Sequence, residues 1–311
     1  MPRPQAQPVP VQEIANFNDL CGESPIWHPE GNTLYWTDIN GRKLFAYDWN
    51  AQRPRVVHEG FEVCGFALNA NDGFVVVNNS GFWLWDIDSA PLLLAHEAEG
   101  VRLAMNDCIA APGGGILAGT CFYDPARTDS PRGHLVHLAP SGSVRVLDEG
   151  FELANGLGFS VDAQTLYFAD SAARIIYAYD YDPAIPKVGN RRVFVRVSSD
   201  EGMPDGLTVD SEGFVWSAQW FGSGIVRYDP EGKVERRLHI PATQTSSLTF
   251  GGPHLTDVFV TSASYPDALP LAWKGYRPAD DYNGGKLFRF GTEIVGKPEY
   301  RCSISAGSMK K

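Results

Sequence analysis

A short unit recurs along this chain, and each copy consists of a polar residue, an apolar run, a turn and a second apolar run. The clearest copy spans residues 203–220, where Asp205 lies between a proline and a glycine, just ahead of the apolar run. Copies begin at Glu23, Cys64, Asn106, Asn155, Asp205 and Ser246. Their spacing of roughly 40 to 50 residues is the period of a four-stranded propeller blade.

Further apolar runs follow the unit within each copy. Third runs cover residues 43–48, 81–86, 133–138, 174–179, 224–228 and 285–290, and fourth runs are clear at 53–57, 144–147 and 192–196. These runs alternate or stay apolar, as half-buried strands do, and no segment keeps the period of a helix. The sequence predicts an all-β fold, a six-bladed β-propeller of four-stranded antiparallel blades.

The two ends of the chain are candidates for closing the ring. Residues 11–17 precede the first copy and have no partner in its blade, and residues 298–303 lie near the other end. Pairing one of these segments into the blade of the other would remove two open sheet edges. We expect a single propeller domain over residues 11–311, preceded by a flexible, proline-rich segment over residues 1–10.

Composition excludes some partners and suggests a compartment. The net charge of −11 leaves no basic face for nucleic acid or an anionic membrane, and no apolar run approaches the roughly 20 residues that span a bilayer. The five cysteines are an odd number without a Cys-x-x-Cys pair, which favours reduced, buried thiols. The first ten residues lack the apolar core of a secretory signal, so a cytoplasmic protein is predicted.

The residues that open the copies should meet at one rim of the central channel. In a propeller the first strand of each blade lines that channel, so Glu23, Cys64, Asn106, Asn155, Asp205 and Ser246 would form a ring. Several oxygen donors facing one axis suit a hard or borderline divalent cation. Two close carboxylates also repel each other unless a cation or a proton lies between them. The alternative is that these residues only cap strands and bind channel water.

Four motifs carry a family resemblance: Gly22-Glu23-Ser24-Pro25-Ile26-Trp27, Ala154-Asn155-Gly156-Leu157, Pro204-Asp205-Gly206-Leu207 and Phe250-Gly251-Gly252-Pro253. In this order they resemble the SMP-30/gluconolactonase/luciferin-regenerating-enzyme family over residues 21–290. The resemblance implies a six-bladed propeller with one catalytic divalent cation, held by Glu23, Asn155 and Asp205. It also implies hydrolysis of sugar lactones such as glucono-, xylono- or arabinonolactone to aldonic acids, which makes the protein a carboxylic-ester hydrolase.

A further motif of the family, Arg-x-Asn-Asp followed by Gly-Thr, is only partly present. Asn106-Asp107 and Gly119-Thr120 match, but Ala104 stands where the family has its substrate-holding arginine. That role passes to Arg102, two positions away, only if the loop bulges. Asn106 is a candidate for contact with a substrate hydroxyl or carbonyl, or with the metal through water.

The proposed chemistry agrees with the residue types. A divalent ion polarises a lactone carbonyl and lowers the pKa of bound water. By resemblance, Asp205 would then accept the proton as catalytic base. A metal-bound carboxylate is a poor base, so either Asp205 keeps one oxygen free or metal hydroxide attacks directly, and the sequence leaves both open. A Glu/Asn/Asp set accepts Ca²⁺, Zn²⁺, Mn²⁺, Fe²⁺ or Mg²⁺.

Two long loops are predicted to overhang the metal and shape the substrate pocket. Residues 121–132 offer Tyr123, Asp124 and Arg127, and residues 264–284 offer Tyr265, Trp273, Lys274, Tyr276 and Tyr282. Trp220 and Phe221 should wall the pocket, and Trp220 and Tyr123 are candidate substrate contacts together with Asn106 and Arg102.

Two other functions compete with a sugar lactonase. One is hydrolysis of a non-sugar lactone, ester or phosphotriester on the same metal. The other is a non-catalytic, calcium-binding regulatory propeller. Nucleophilic catalysis is disfavoured because the chain has no Gly-x-Ser-x-Gly elbow. The particular lactone, the metal and the oligomeric state stay open at this point.

Overall fold

The computed structural model of the protein describes residues 10–124, 127, 129–264, 271–272, 276 and 283–309. Within these ranges the regular structure consists of 26 strands and one 3-10 helix, Ala306–Met309. No described helix has the length and apolar character needed to cross a bilayer. The predicted mobile segment over residues 1–10 lies, except for its last residue, outside the described residues.

Six four-stranded antiparallel sheets form the blades, so the predicted six-bladed propeller is confirmed. Blade 1 contains β2 (Gly22–His28), β3 (Thr33–Asp38), β4 (Lys43–Asp48) and β5 (Arg53–Glu59), and blade 2 contains β6 (Gly65–Leu68), β7 (Phe74–Asn78), β8 (Gly81–Trp85) and β9 (Leu92–Ala95). Blade 3 contains β12 (Met105–Ala110), β13 (Ile116–Thr120), β14 (Gly133–Leu138) and β15 (Val144–Phe151), and blade 4 contains β16 (Ala154–Phe159), β17 (Thr165–Asp170), β18 (Ile175–Asp182) and β19 (Lys187–Arg196). Blade 5 contains β20 (Met203–Val209), β21 (Val215–Trp220), β22 (Gly224–Tyr228) and β23 (Val234–His239), and blade 6 contains β24 (Thr245–Gly251), β25 (Asp257–Ser262), β26 (Lys286–Gly291) and β1 (Gln12–Asn16). A small hairpin, β10 (Glu97–Ala98) and β11 (Val101–Arg102), lies between blades 2 and 3 in the chain.

The ring forms because each blade has apolar side chains on both faces and covers them against its two neighbours. The innermost strands contact one another in the cyclic order β2, β6, β12, β16, β20, β24 and back to β2. Between blades 4 and 5, for example, Tyr167 and Ile176 share one buried cluster with Leu207 and Val226. The core is therefore distributed between the blades, and every first strand is held beside the channel.

The two chain ends close the ring in different ways. Strand β1 pairs antiparallel with β26 as the outer strand of blade 6, which is one of the two ways of closing the ring that the sequence left open. The described C-terminal residues, 292–309, form no such strand. They cross the channel end remote from the ring residues: the Ser211 N–H donates to the Val295 carbonyl (3.0 Å), and the Ser303 N–H donates to the Gly114 carbonyl (2.8 Å). All five cysteines are free thiols, as predicted, but only Cys64 and Cys302 are fully buried, and the other three are partly exposed.

A buried histidine in β14 makes the stability of the fold sensitive to acid. His137 is 1% exposed, and neither ring nitrogen has a hydrogen-bond partner among the described residues. Burial, with a smaller effect from the charge of Arg145, lowers its pKa from 6.5 to about 4. Because the folded-state pKa of His137 is depressed, the stability that the neutral histidine contributes is fully present above pH 6.5. That contribution is lost as the pH falls towards 4.

We expect the folded chain to lose about 3 kcal/mol through His137 between pH 7 and pH 4. Replacing His137 by Leu removes the titrating group and should remove this part of the pH dependence. Denaturant unfolding of both proteins at each pH measures the difference, since all other titrating groups are shared. Equal pH dependence in the two proteins would show that His137 does not titrate as the structure indicates.

Candidate metal centre and active-site cleft

Irregular strand pairing marks five of the six ring positions. The register shifts between Glu23 and Ile26, Met105 and Cys108, Ala154 and Leu157, Pro204 and Leu207, and Thr245 and Ser247. In blade 2 the first strand pairs regularly, and Cys64 precedes it. A bulge leaves a residue out of the ladder and re-aims its side chain. Asn106, Asn155, Asp205 and Ser246 are thus left out of the strand pairing, whereas Glu23 pairs with Thr37 just before its bulge.

A cleft with a cavity volume of about 200 Å³ opens at this rim of the channel. Its lining contains six residues predicted for the site: Glu23, Asn106, Tyr123, Asn155, Asp205 and Trp220. It also contains Cys21, Ile39, Cys64, Asp107, Cys121, Leu153, Ser171 and Met203. The structure therefore brings the predicted metal ligands and most of the predicted substrate contacts to one place. Ser246 of the ring is absent from this lining; its hydroxyl donates to the Gly22 carbonyl at 2.5 Å.

Three carboxylates, those of Glu23, Asp107 and Asp205, line the cleft. Glu23 is 7% exposed and Asp205 is 4% exposed. Burial raises the pKa of Asp205 well above its usual value, and the charges of Glu23 and Asp107 raise it further. Burial followed by the charge of Asp107 likewise raises the pKa of Glu23. The ionised forms of these groups therefore need a positive neighbour, which a divalent cation would provide.

Asp107 is a member of this cluster that the sequence did not single out. It is partly buried, and its removal from bulk water raises its pKa to about 6. It lines both the cleft and a second cavity deeper in the channel. Its place directly after Asn106 in the partial family motif was the available signal.

The amide of Asn155 is held by a neighbouring hydroxyl. Its Nδ2 donates to Ser171 Oγ at 3.1 Å, and that hydroxyl donates to the Pro204 carbonyl at 2.6 Å. Ser171 lies in the turn after β17 and lines the same cleft. No local sequence pattern could reveal this residue, because its partner Pro204 belongs to the next blade.

Similar bonds join other blades at the same level. In each, a side chain donates to the carbonyl of the residue just before a ring residue of the next blade: Ser246 to Gly22, Thr37 to Val63 (2.9 Å), Asn106 to Ala154 (2.9 Å) and Ser171 to Pro204. We call this set the inter-blade belt. The belt fixes the position of the backbone at Glu23, Cys64, Asn155 and Asp205 relative to the preceding blade.

The donor types at Glu23, Asn155 and Asp205 fit a hard divalent cation. All three offer oxygen, the element that Ca²⁺, Mg²⁺ and Mn²⁺ prefer. Asp205 Oδ1 is buried without a hydrogen-bond partner among the described residues, which is costly unless another group satisfies it. Among those residues no three His, Cys, Asp or Glu side chains group closely enough to hold a metal. A site here therefore depends on the Asn155 amide oxygen.

Arg102 is placed away from the cleft. It lies on β11 of the small hairpin, where it is exposed, and its Nη2 donates to the Asn79 carbonyl at 3.3 Å. It is not among the residues that line the cleft. Strand pairing in the β10–β11 hairpin holds Arg102 away from the cleft, and Asn106 lines the cleft instead.

The two long loops are only partly described. Tyr123 of the first loop lines the cleft, whereas Arg127 pairs with Asp129 through its Nε at 3.1 Å. In the second loop Tyr276 packs against Phe221, and its hydroxyl accepts a hydrogen bond from Gln244 Nε2 at 2.7 Å. Phe221 itself packs behind Trp220 instead of lining the cleft. The other predicted pocket residues of that loop lie outside the described residues: Tyr265, Trp273, Lys274 and Tyr282.

The sequence profile described as SMP-30/Gluconolactonase/LRE-like region matches residues 21–264. This range contains every ring residue and the whole lining of the cleft. The chain belongs to this family. The family resemblance predicted from the four motifs is thereby confirmed.

Relatives match this family member over nearly its full length. Pentonolactonase XacC of Haloferax volcanii is 32% identical over 302 residues, which cover 96% of this chain and 99% of that protein. Regucalcin of Xenopus laevis is 34% identical over 275 residues, 87% of this chain and 91% of that protein. The solved structure of a calcium-binding protein, regucalcin, from Agrobacterium tumefaciens has a TM-score of 0.82 and 26% identity, covering 94% of this chain and 97% of that one.

Proposed function

We propose that this family member hydrolyses a neutral sugar lactone to the aldonic acid and that the reaction depends on a divalent cation. The buried, unsatisfied oxygen of Asp205, next to Glu23 and Asn155 in one cleft, is the observation that carries this proposal. The pentonolactonase relative supports lactone chemistry, and the regucalcin relatives support a metal.

Glu23, Asn155 and Asp205 would hold the cation. When bound, the cation supplies Lewis acidity for the lactone carbonyl and makes water a better nucleophile at neutral pH. Asp205 accepts the proton from the attacking water. Water adds to the carbonyl carbon, the ring C–O bond breaks, and Asp205 returns the proton to the ring oxygen, which leaves as a hydroxyl of the open product.

The polarity of the cleft favours a neutral substrate. Its described lining includes three carboxylates but no lysine, arginine or histidine. An anionic substrate, such as a phosphorylated lactone, would be repelled. The product is a carboxylate, so the same charges would help to expel it.

A less polar lactone or ester is the second candidate. Ile39, Leu153 and Met203 line the cleft together with Trp220, and they offer no hydrogen bonds to sugar hydroxyls except through the Trp220 indole. A buried hydroxyl without a partner weakens binding, so these walls favour substrates with few hydroxyls. Comparing sugar lactones with aliphatic lactones of the same ring size decides between the two candidates.

We expect the chelator-stripped chain to open lactones at least about 100-fold more slowly than the chain reloaded with a divalent ion, because Lewis-acid stabilisation contributes several kcal/mol. Proton release from pentono- and hexonolactones measures the rate, with Ca²⁺, Zn²⁺ and Mn²⁺ tested in turn. Buffer with the same ion but no protein is the control. If reloading accelerates no lactone, ester or phosphotriester, the enzymatic proposal is wrong.

A further inference from the structure

An asparagine that serves as a metal ligand must present its oxygen, and not its nitrogen, to the cation. The two ends of the amide have nearly the same shape, so packing alone does not choose between them. The hydrogen-bond partners of the amide must make the choice. In the cleft, the partner of the Asn155 Nδ2 is the Ser171 hydroxyl at 3.1 Å.

The Ser171 hydroxyl has a single proton, and the backbone determines where that proton goes. Its Oγ lies 2.6 Å from the Pro204 carbonyl oxygen. A carbonyl can only accept, so the hydroxyl must donate to Pro204 and can only accept from Asn155. A reversed amide would place Asn155 Oδ1 against an oxygen with no proton to offer. The nitrogen of Asn155 therefore faces Ser171, and its oxygen is left for the cleft.

The hydroxyl itself is held firmly. Ser171 is 2% exposed, its N–H donates to the Leu153 carbonyl at 2.9 Å, and its own carbonyl accepts from the Arg174 N–H at 3.0 Å. Both neighbours lie in the same blade as Asn155. Ser171 thus acts as a fixed point of blade 4.

The same hydroxyl also reaches the second ligand. The Pro204 carbonyl belongs to the peptide unit that leads into Asp205, at the bulge between Pro204 and Leu207. The backbone at a bulge lacks the regular hydrogen bonds between paired strands, so other contacts must hold it in position. One hydroxyl therefore links the amide ligand of blade 4 to the backbone of the carboxylate ligand of blade 5.

We propose that Ser171 is a positioning residue of the metal centre: its hydroxyl fixes the orientation of the Asn155 amide and anchors the backbone that carries Asp205. This inference rests on the proposed function, because it takes Asn155 and Asp205 as ligands. Ser171 acts through Asn155 and Asp205 and contributes no ligand atom. Outer contacts of this kind typically change metal affinity by about 10- to 100-fold.

The test measures Mn²⁺ affinity of the chelator-stripped full chain by EPR detection of free Mn²⁺. Ser171→Ala should weaken binding about 10- to 100-fold. The matched control is Thr37→Val, which removes a buried hydroxyl that also donates to a carbonyl of the next blade, Val63, at 2.9 Å. Val63 precedes Cys64, which is not a predicted ligand, so the control should change Mn²⁺ affinity less than about threefold.

A double-mutant cycle separates amide orientation from general damage. In an Asn155→Asp background both outer atoms are oxygens, so the part of the loss that comes from amide orientation disappears, and Ser171→Ala should weaken Mn²⁺ binding by a smaller factor than it does in the unaltered chain. If Ser171→Ala lowered the Mn²⁺ affinity equally with Asn155 and with Asn155→Asp, the positioning role alone would be overturned. The same would follow if Ser171→Ala and Thr37→Val lowered the Mn²⁺ affinity equally. Failure of the unaltered chain to bind any divalent ion would instead overturn the proposed function, and this inference with it.

Discussion

Replacing Asp205 by asparagine is expected to lower lactone turnover by about 10³-fold or more, with little loss of fold. The substitution removes both the proposed proton acceptor and one charged ligand while keeping the shape of the side chain. It also removes a buried carboxylate that Glu23 and Asp107 repel, so the metal-free variant should unfold at a slightly higher temperature than the unaltered chain.

Two measurements check this result. One is kcat/KM on the best lactone, and the other is the rise in Tm on adding the metal, which should be large for the unaltered chain and small for Asp205→Asn. Asp107→Asn is the matched control, because Asp107 lines the same cleft but is not a proposed ligand. The kcat/KM of Asp107→Asn should fall by about tenfold or less. Equal losses in the two variants would contradict the special role of Asp205.

The largest expected effect on stability comes from the opposite part of blade 5. Replacing Arg227 by alanine should destabilise the fold by about 3 to 5 kcal/mol, because it leaves Asp210 buried without its charged partner. The Arg227 side chain is 3% exposed and that of Asp210 is 0% exposed, and their Nη2 and Oδ2 atoms lie 2.7 Å apart. The guanidinium also lies over the Phe214 ring, 3.7 Å from its centroid.

Denaturant unfolding of Arg227→Ala and of a matched surface variant measures this effect. Arg192→Ala removes an equally short ion pair, with Asp180 at 2.8 Å, whose side chains are 44% and 63% exposed. That variant should lose no more than about 1 kcal/mol, since solvent screens the pair. Arg227→Lys keeps the charge but loses the planar fork, so an intermediate loss is expected. Equal stability of Arg227→Ala and Arg192→Ala would refute the argument from burial.

Structural features that lie within one repeat could be predicted from the sequence. The alternating runs, their spacing and the polar residue at each opening predict the blades and the ring, and the structure confirms the fold. Asp38 and Asp170 end the second runs of copies 1 and 4, and each accepts hydrogen bonds from backbone N–H groups just before its own blade's first strand. Such contacts span fewer than 20 residues, and a repeat unit contains them whole.

Contacts between different blades could not be predicted from the sequence. Arg102 matched the family only by proximity in sequence, and the hairpin in which it pairs holds it away from the cleft. Asp107 joins Glu23 and Asp205 only because three blades place their bulges at one rim. Ser171 is an ordinary serine in a turn until the next blade brings the Pro204 carbonyl to 2.6 Å.

The sequence alone determined the repeat, the family and the residues that open each blade, because strand periodicity and turn chemistry act over a few neighbouring residues. Tertiary structure alone decided which polar side chains share the cleft and which carboxylates repel one another. It also decided that the nitrogen of the Asn155 amide faces Ser171 and its oxygen faces the cleft. Those properties depend on distances between blades that are 40 to 50 residues apart in the chain, roughly one repeat. Ring closure by β1 and the hydrogen bonds of the inter-blade belt set these distances.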